Sequence, residues 1–369
     1  MRITRVEVLP YRLPLARPWH TAVGTLTDRA GFLVRLTDSD GRCGFGEASP
    51  VYWAGGESLA RAAAALDEAA AWLVRGDRVT ILHDALCAGV WPCGPTEPPA
   101  TLRHSLAALC AVDTALLDLL ARAAGQRVAT MLSPTAPTSV ACNGLISDAA
   151  PHDVERATAR LVDAGFRTIK LKVAAHPVDV DRERIAAVRR AATHGVRIRL
   201  DANRGWDLAT ASDVLAAVSG PDIDYVEEPL DAAEPSALRA LRERTGVAIA
   251  FDESVTDAAD LPRYAGAGAV DVIVLKLARV GGPCRAMQLA TEAVARGLRV
   301  VCTDSLETAV GRRAAVHTAA AMPGPALPVG LGGTVFAADV TPEAPRARPV
   351  ASVDGPGLGS ITLTRRLGA

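Results

Sequence analysis

Lysine is rarer here than histidine: of 40 Lys and Arg residues, three are lysines, Lys170, Lys172 and Lys276. Asparagine is rarer still, with Asn143 and Asn203 alone. Neither sign of charge is in surplus. A formal net charge of −1 and a pI near 6.7 give no electrostatic case for nucleic acid or an anionic membrane surface. No apolar run reaches membrane-spanning length unbroken by charge, Gly or Pro, and the opening Met1-Arg-Ile-Thr-Arg-Val-Glu7 lacks the apolar core of a signal peptide. The seven cysteines (Cys43, Cys87, Cys93, Cys110, Cys142, Cys284, Cys302) are odd in number and scattered without paired metal-ligand spacing. They are expected to be buried thiols in a reducing cytoplasm, neither a disulfide framework nor a zinc site.

A general drift towards Arg and Ala carries no chemistry, but it makes the surviving lysines conspicuous. Arg can replace Lys as a solvated charge, yet it does not give up its proton in a protein, whereas a Lys pKa moves readily with burial and neighbouring charge. Lysines kept where Arg will not serve are candidates for proton transfer.

From about residue 139 onward, short β-branched runs alternate with Ala/Arg/Leu-rich helical patterns. Strands are expected at 139–146, 168–173, 196–201, 225–228, 247–252, 270–277, 298–303 and 327–330. Helices are expected between them, at 152–164, 180–193, 208–218, 235–245 and 283–295. Eight strands at this period favour a (β/α) barrel over an open doubly wound sheet. A dinucleotide-binding Gly-x-Gly-x-x-Gly is missing after the first strand. Gly281-Gly282 comes nearest, and either binds an anion or turns the chain.

Residues 1–130 read as a preceding α+β unit. Antiparallel strands are expected at 1–15 and 30–48, with Asp38-Ser-Asp-Gly41 as a turn. Leu59, Ala63, Leu66, Ala70 and Leu73 form one helical stripe, and Leu102, Leu106, Leu109, Val112, Leu116 and Leu120 another. The Pro-rich residues 133–137 mark a boundary, a barrel is expected over 138–338, and residues 360–364 of the 339–369 tail are expected to add a strand to the N-terminal unit.

In a (β/α) barrel the side chains at successive C-terminal strand ends converge. Here those ends read Lys170-Leu-Lys172, Asp201-Ala-Asn203, Glu227-Glu228-Pro229, Asp252-Glu253-Ser254 and Lys276. The steps 172 to 201, 201 to 227, 227 to 252 and 252 to 276 are 29, 26, 25 and 24 residues, one β/α repeat each. Asp201, Glu227 and Asp252 make a hard oxygen site suited to Mg²⁺, or alternatively Mn²⁺. Alternation points Lys170 and Lys172 inward, with Lys276 nearly opposite. Two such amines are expected to lower each other's pKa, as a base working near neutral pH requires. The chemistry implied is removal of a proton next to a substrate carboxylate, with the metal stabilising the enediolate.

Lys170-x-Lys172, Leu200-Asp-Ala-Asn203, Val226-Glu-Glu-Pro229, Phe251-Asp-Glu-Ser254 and Val274-Leu-Lys276 resemble the enolase superfamily, in its muconate-lactonizing-enzyme subgroup. The resemblance covers nearly the whole chain. It implies a modified (β/α)7β TIM-type barrel under an N-terminal α+β capping domain, with the C-terminal segment returning to the cap. It further implies Asp201, Glu227 and Asp252 as metal ligands, Lys172 as base, Lys276 as the group on the opposite face and Lys170 as tuner of Lys172. Asn203 and Glu253 would support the metal. A His base, as in the mandelate racemase subgroup, is not expected, since none of the seven histidines falls at a strand end.

Within the subgroup, Gly44-Phe-Gly-Glu-Ala-Ser-Pro50, Asn143-Gly-Leu-Ile146, Asp304-Ser-Leu-Glu-Thr-Ala-Val-Gly311 and Val329-Gly-Leu-Gly-Gly333 are most similar to o-succinylbenzoate synthase, the dehydratase of menaquinone biosynthesis. An N-acylamino acid racemase or a muconate-type cycloisomerase would use the same lysines. Dipeptide epimerases usually carry Asp-x-Asp where this chain has Val329-Gly-Leu331. An idle homologue acting as a binding protein would have lost a rim residue, and all five are present. Substrate contacts are expected from two cap loops, residues 17–25 with Arg17, Trp19 and His20, and 49–56 with Tyr52 and Trp53, and from Asn143, Ser305 and Glu307. The expected partner is a small-molecule carboxylate, without nucleic acid or membrane, and the chain is expected to be a homo-oligomer.

Overall fold

The computed structural model describes residues 1–21, 24–52, 56–75, 79, 83–84, 97–192, 195–220, 222–230, 234–255, 261–332, 335–342 and 348–364, with backbone alone for 19–21 and 24. The N-terminal unit is an antiparallel sheet of β1 (Ile3–Thr21), β2 (Gly24–Asp38) and β3 (Cys43–Ala48). The expected turn forms: the Asp38 carboxylate accepts from the Asp40 and Arg42 amides at 2.9 and 2.8 Å, and Gly41 takes φ +80°. The stretch expected as a loop at 17–25 is instead the far end of a long hairpin, with Trp19 paired to Leu26 and His20 to Thr25.

Two helices cover this sheet, Leu59–Arg75 and Leu106–Ala123. The first buries Ala62, Ala65, Leu66, Ala69, Trp72 and Leu73, so the expected stripe is rotated, sharing Leu66 and Leu73. In an Ala-rich helix the smaller side chains define a face poorly. The second is wedged between sheet and barrel and buried nearly all round. Glycine permits this contact: a Cβ on Gly46 would stand 1.9 Å from the Ala111 carbonyl oxygen.

The second layer is a parallel sheet in the order β5 (Gly144–Ile146), β6 (Thr168–Lys172), β7 (Arg197–Asp201), β8 (Ile223–Glu227), β9 (Ile249–Phe251), β10 (Val272–Lys276) and β11 (Arg299–Thr303). Val329 and Gly330 close it into a barrel, Val329 pairing with Cys142 and Gly330 with Thr303. Helices Pro151–Asp163, Val178–Ala191, Leu208–Val218, Pro235–Thr245 and Pro283–Ala295 lie between strands, and Ala309–Ala321 follows the last. Local chemistry sets their ends. The Asp207 carboxylate caps Leu208–Val218 through the Thr210 amide at 2.7 Å, and Pro235–Thr245 starts on proline and stops at Gly246, φ +68°.

Two expectations are corrected. Residues 139–146 are not one strand: β4 (Ser139–Ala141) pairs antiparallel with β12 (Val350–Ser352), and only the β5 portion joins the barrel sheet. Residues 360–364 form no strand. Ile361 and Leu363 pack on the N-terminal sheet, and Leu15 bridges to Phe336. The cysteines also differ from expectation. Cys43, Cys110, Cys142 and Cys302 are free, whereas Cys284 is disulfide-bonded.

His317, buried in the last helix, accepts a hydrogen bond at Nδ1 from the Ala129 amide at 3.2 Å. Burial and the nearby Arg127, Arg313 and Arg122 pull its pKa down to about 3. An unfolded histidine titrates near about 6.5, so the unfolded chain takes up the proton first, and stability falls as pH drops through that window. Between pH 7 and pH 5 this group removes about 2 kcal/mol. Urea unfolding at the two pH values should show a correspondingly smaller gap in His317→Gln.

Candidate active site

Parallel register brings the strand-end residues to one level. Lys172 pairs with Asp201, and Asp201 with Glu227. Asp252 directly follows β9, and Lys276 ends β10. The three carboxylates are buried, with 1–3% of their surface exposed. Lys170 Nζ donates to Glu227 Oε2 at 2.7 Å and lies 2.8 Å from Asp201 Oδ2. Lys172 Nζ donates to Asp201 Oδ2 and Asn203 Oδ1, each at 2.6 Å. Lys276 Nζ donates to Asp252 Oδ2, and Arg279 stands 3.4 Å from Asp252 Oδ1. Asn203 extends the set, its Nδ2 reaching Glu253 Oε1 at 3.3 Å.

Electrostatics separates the three acids. Burial opposes ionisation of Asp201, but Lys170 and Lys172 outweigh it and hold the carboxyl well below the usual range. Asp252 is lowered likewise, with Lys276 and Arg279 overcoming burial. Glu227 goes the other way: burial and the charge of Asp201 push it up to about 7. The expectation that Lys170 is acidified by a neighbouring ammonium is reversed. Burial lowers its pKa, but Asp201 and Glu227 together hold it well above the ordinary value. Lys276 is raised in the same way, chiefly by Asp252 against burial.

This donor set fits a hard divalent cation. It is all oxygen and converges from three adjacent strands. Glu227 Oε1 and Glu253 Oε2 are each buried without a hydrogen-bond partner, a costly state that a cation would relieve.

Backbone strain concentrates at this end of the barrel. Ala174, Asn203, Arg204, Glu228 and Leu306 adopt φ between +42° and +67°, all in loops leaving strand ends. Glu228 shows what holds such a loop. Its Oε1 accepts from the amides of Asp252 and Ser254 at 2.9 and 2.7 Å, and its Oε2 accepts from Ser254 Oγ at 2.8 Å and Arg204 Nε at 3.2 Å. Sequence reading missed Glu228 and Arg279 as site residues. Their signal was adjacency: Glu228 follows Glu227, and Arg279 lies one helical turn beyond Lys276.

The expected substrate contacts divide: Ser305 and Glu307 follow the end of β11 and Arg17 meets the segment after β5, whereas Asn143 lies inside the barrel. Asn143 Oδ1 accepts from buried Arg199 at 3.2 Å, three residues before the end of β5, so it belongs to the barrel interior. Ser305 and Glu307 are buried, the Ser305 amide donating to Glu307 Oε2. Burial together with Asp304 and Glu47 pushes Glu307 up to about 8. Arg17 reaches across to Asp148, at 4.0 Å. The Tyr52 ring lies under the Arg29 guanidinium, 5.7 Å from it. Trp53 and the side chains of Trp19 and His20 lie outside the described residues.

Residues 3–133 match the mandelate racemase / muconate lactonizing enzyme N-terminal domain, and residues 153–364 match the family described as Enolase C-terminal domain-like. The chain belongs to the enolase superfamily, in its mandelate racemase/muconate lactonizing group. It is 29% identical to chloromuconate cycloisomerase of Pseudomonas sp. (strain P51), over 89% of this chain and 87% of that one. It is 25% identical to N-succinyl-L-Arg/Lys racemase of Bacillus cereus, over 86% and 84%. It superposes on the dipeptide epimerase of Cytophaga hutchinsonii complexed with Mg and D-Ala-L-Val at a TM-score of 0.84 and 26% identity, covering 100% of this chain and 98% of that one. The barrel beneath an N-terminal sheet domain is the fold of this superfamily.

Removing the Glu228 carboxylate would leave Arg204 and two buried amides without their acceptor. Glu228→Ala is expected to cost about 3 kcal/mol, read from the urea midpoint.

Proposed function

We propose that this enzyme removes a proton from the carbon next to the carboxylate of a small substrate, with Mg²⁺ held by Asp201, Glu227 and Asp252. The observation that carries the reading is the lysine pair facing the carboxylate trio: Lys172 on β6 and Lys276 on β10 lie four strands apart in a closed eight-membered ring. When bound, Mg²⁺ supplies charge that neutralises the trio and favours an enediolate over its parent carboxylate.

The chain's own groups do the rest. Lys172 Nζ, positioned by Asp201 and Asn203, takes the α-proton from one face. Lys276 Nζ meets the opposite face, returning a proton or holding charge. Lys170, pinned between Asp201 and Glu227, stays cationic and fixes both carboxylates. Asn203 and Glu253 brace the trio from the loops beyond.

Racemisation or epimerisation at the α-carbon is the outcome this two-sided arrangement supports best. It is also the chemistry in the name of the Bacillus cereus relative. Dehydration to o-succinylbenzoate is the second reading, favoured by the resemblance of the four stretches quoted above. All four, however, make fold contacts. Glu47 caps the helix Ala309–Ala321 through Thr308 and Gly311, Asn143 binds Arg199, and Val329 closes the ring. A dipeptide substrate is disfavoured by the eighth strand end, where Leu331 is buried and the sequence Val329-Gly-Leu-Gly-Gly333 holds no carboxylate for an amine.

With Mg²⁺ in D₂O, wild-type enzyme is expected to exchange the α-hydrogen of an N-succinylamino acid and erase its optical rotation. Chelation should stop both. Lys172→Ala should slow exchange from one enantiomer by about 10²–10⁴-fold, and Lys276→Ala from the other. Turnover of the cyclohexadiene carboxylic acid that dehydrates to o-succinylbenzoate, and not of the N-succinylamino acid, would establish dehydration instead, and undiminished exchange in Lys172→Ala would remove that residue as base.

A further inference from the structure

Among the described residues, the exposed large apolar side chains are Val74, Met131, Leu145, Leu208 and Val350. Four of them lie on helices or on β12, where a lone exposed apolar residue is ordinary. Leu145, 37% exposed, is the one on a barrel strand. Its direction follows from register. Leu145 pairs with Lys170, so the two share a face of the sheet, and Lys170 points inward to Asp201 and Glu227. Asn143, two residues earlier on the same face, meets Arg199 in the barrel interior. The intervening Gly144 faces out, since a Cβ there would stand 2.8 Å from Leu161 on the helix Pro151–Asp163. Leu145 therefore stands inside the ring. Asn143 beneath it is only 6% exposed, so the surface that Leu145 offers opens upward, to the mouth.

Beyond β5 the ring continues through Gly330 and Thr303 to Lys276. Thr303 pairs with Lys276 and shares its inward face, and its hydroxyl is engaged, donating to the Gly330 carbonyl at 3.1 Å. Gly330 adds no side chain and none fits, because a Cβ would stand 2.3 Å from Thr303 Oγ1. Asp304, which follows Thr303, accepts from the Leu306 amide at 3.3 Å. The arc facing the carboxylate trio across the ring thus presents a leucine, a glycine and a satisfied hydroxyl.

We propose that Leu145 determines specificity: it receives the apolar side chain of an N-acylamino acid of about leucine size and disfavours a charged one. The inference takes the substrate's orientation from the proton-abstraction reading above. With its carboxylate towards the trio and its α-carbon between Lys172 and Lys276, a substrate sends its remaining substituents across the ring, towards Leu145 and Gly330. Covering Leu145 removes apolar surface from water, and the room left at Gly330 admits a branched side chain. An ammonium or carboxylate brought to the same place would lose hydration against hydrocarbon.

Calorimetric titration of the Mg²⁺-loaded enzyme with the N-succinyl derivatives of leucine, lysine and glutamic acid tests this without turnover. The leucine derivative is expected to bind about tenfold or more tightly than either of the others. Leu145→Asn, close to leucine in size, should cut that preference by about fivefold or more, whereas mere damage to the fold weakens all three alike. Equal binding of the three, binding of none, or an unchanged preference in Leu145→Asn overturns the proposal. α-Hydrogen exchange in D₂O with the same compounds separates this inference from the reading beneath it. Exchange of all three with equal kcat/KM overturns the specificity and leaves proton abstraction standing. Leucine-selective binding without exchange of any of them overturns proton abstraction and leaves the apolar wall standing.

Discussion

Asp201, Glu227 and Asp252 stand at the ends of adjacent parallel strands, about 4.8 Å apart along the hydrogen-bonding direction, with almost no access to water. Their mutual repulsion is the constraint around which the barrel mouth is arranged. Three ammonium groups and one guanidinium answer it directly. The next layer answers it indirectly: Glu228 ties down the amides of Asp252 and Ser254, so that the loop carrying one acid cannot recoil from the others. Left-handed backbone at Asn203, Arg204 and Glu228 is the conformational cost of turning each loop back over the trio.

That constraint is why so much of the mouth was legible in the sequence. Five strand ends recur at one β/α period, and the proposed chemistry calls for Lys or an acid at each, so period and residue type reinforce one another. The rarity of lysine sharpened the reading, because a chain that uses Arg for ordinary positive charge leaves its lysines where geometry and titration demand them. The barrel itself followed from the same alternation.

What the sequence hid was made by contacts between distant segments. Nothing local in residues 139–146 shows that the first half pairs with Val350–Ser352 while the second enters the barrel. Asn143 was expected as a substrate contact from the resemblance of the stretch Asn143-Gly-Leu-Ile146. Its partner, Arg199, lies 56 residues on, and only the closed ring reveals the pair. Glu47 lies 261 residues from Thr308, whose amide and hydroxyl both donate to it, so the stretch Gly44–Pro50, quoted for its family resemblance, also forms the joint between N-terminal sheet and barrel.

The charge count at the mouth bears on which molecules can enter. Asp201, Glu227, Asp252 and Glu253 carry four formal negative charges, and Lys170, Lys172, Lys276 and Arg279 four positive ones. The rim is therefore balanced before any ligand arrives. A divalent cation seated on the trio, as proposed, would leave two unbalanced positive charges in a buried, low-dielectric place, where they are costly. An anionic substrate removes that imbalance, so cation and substrate carboxylate each favour the other's binding.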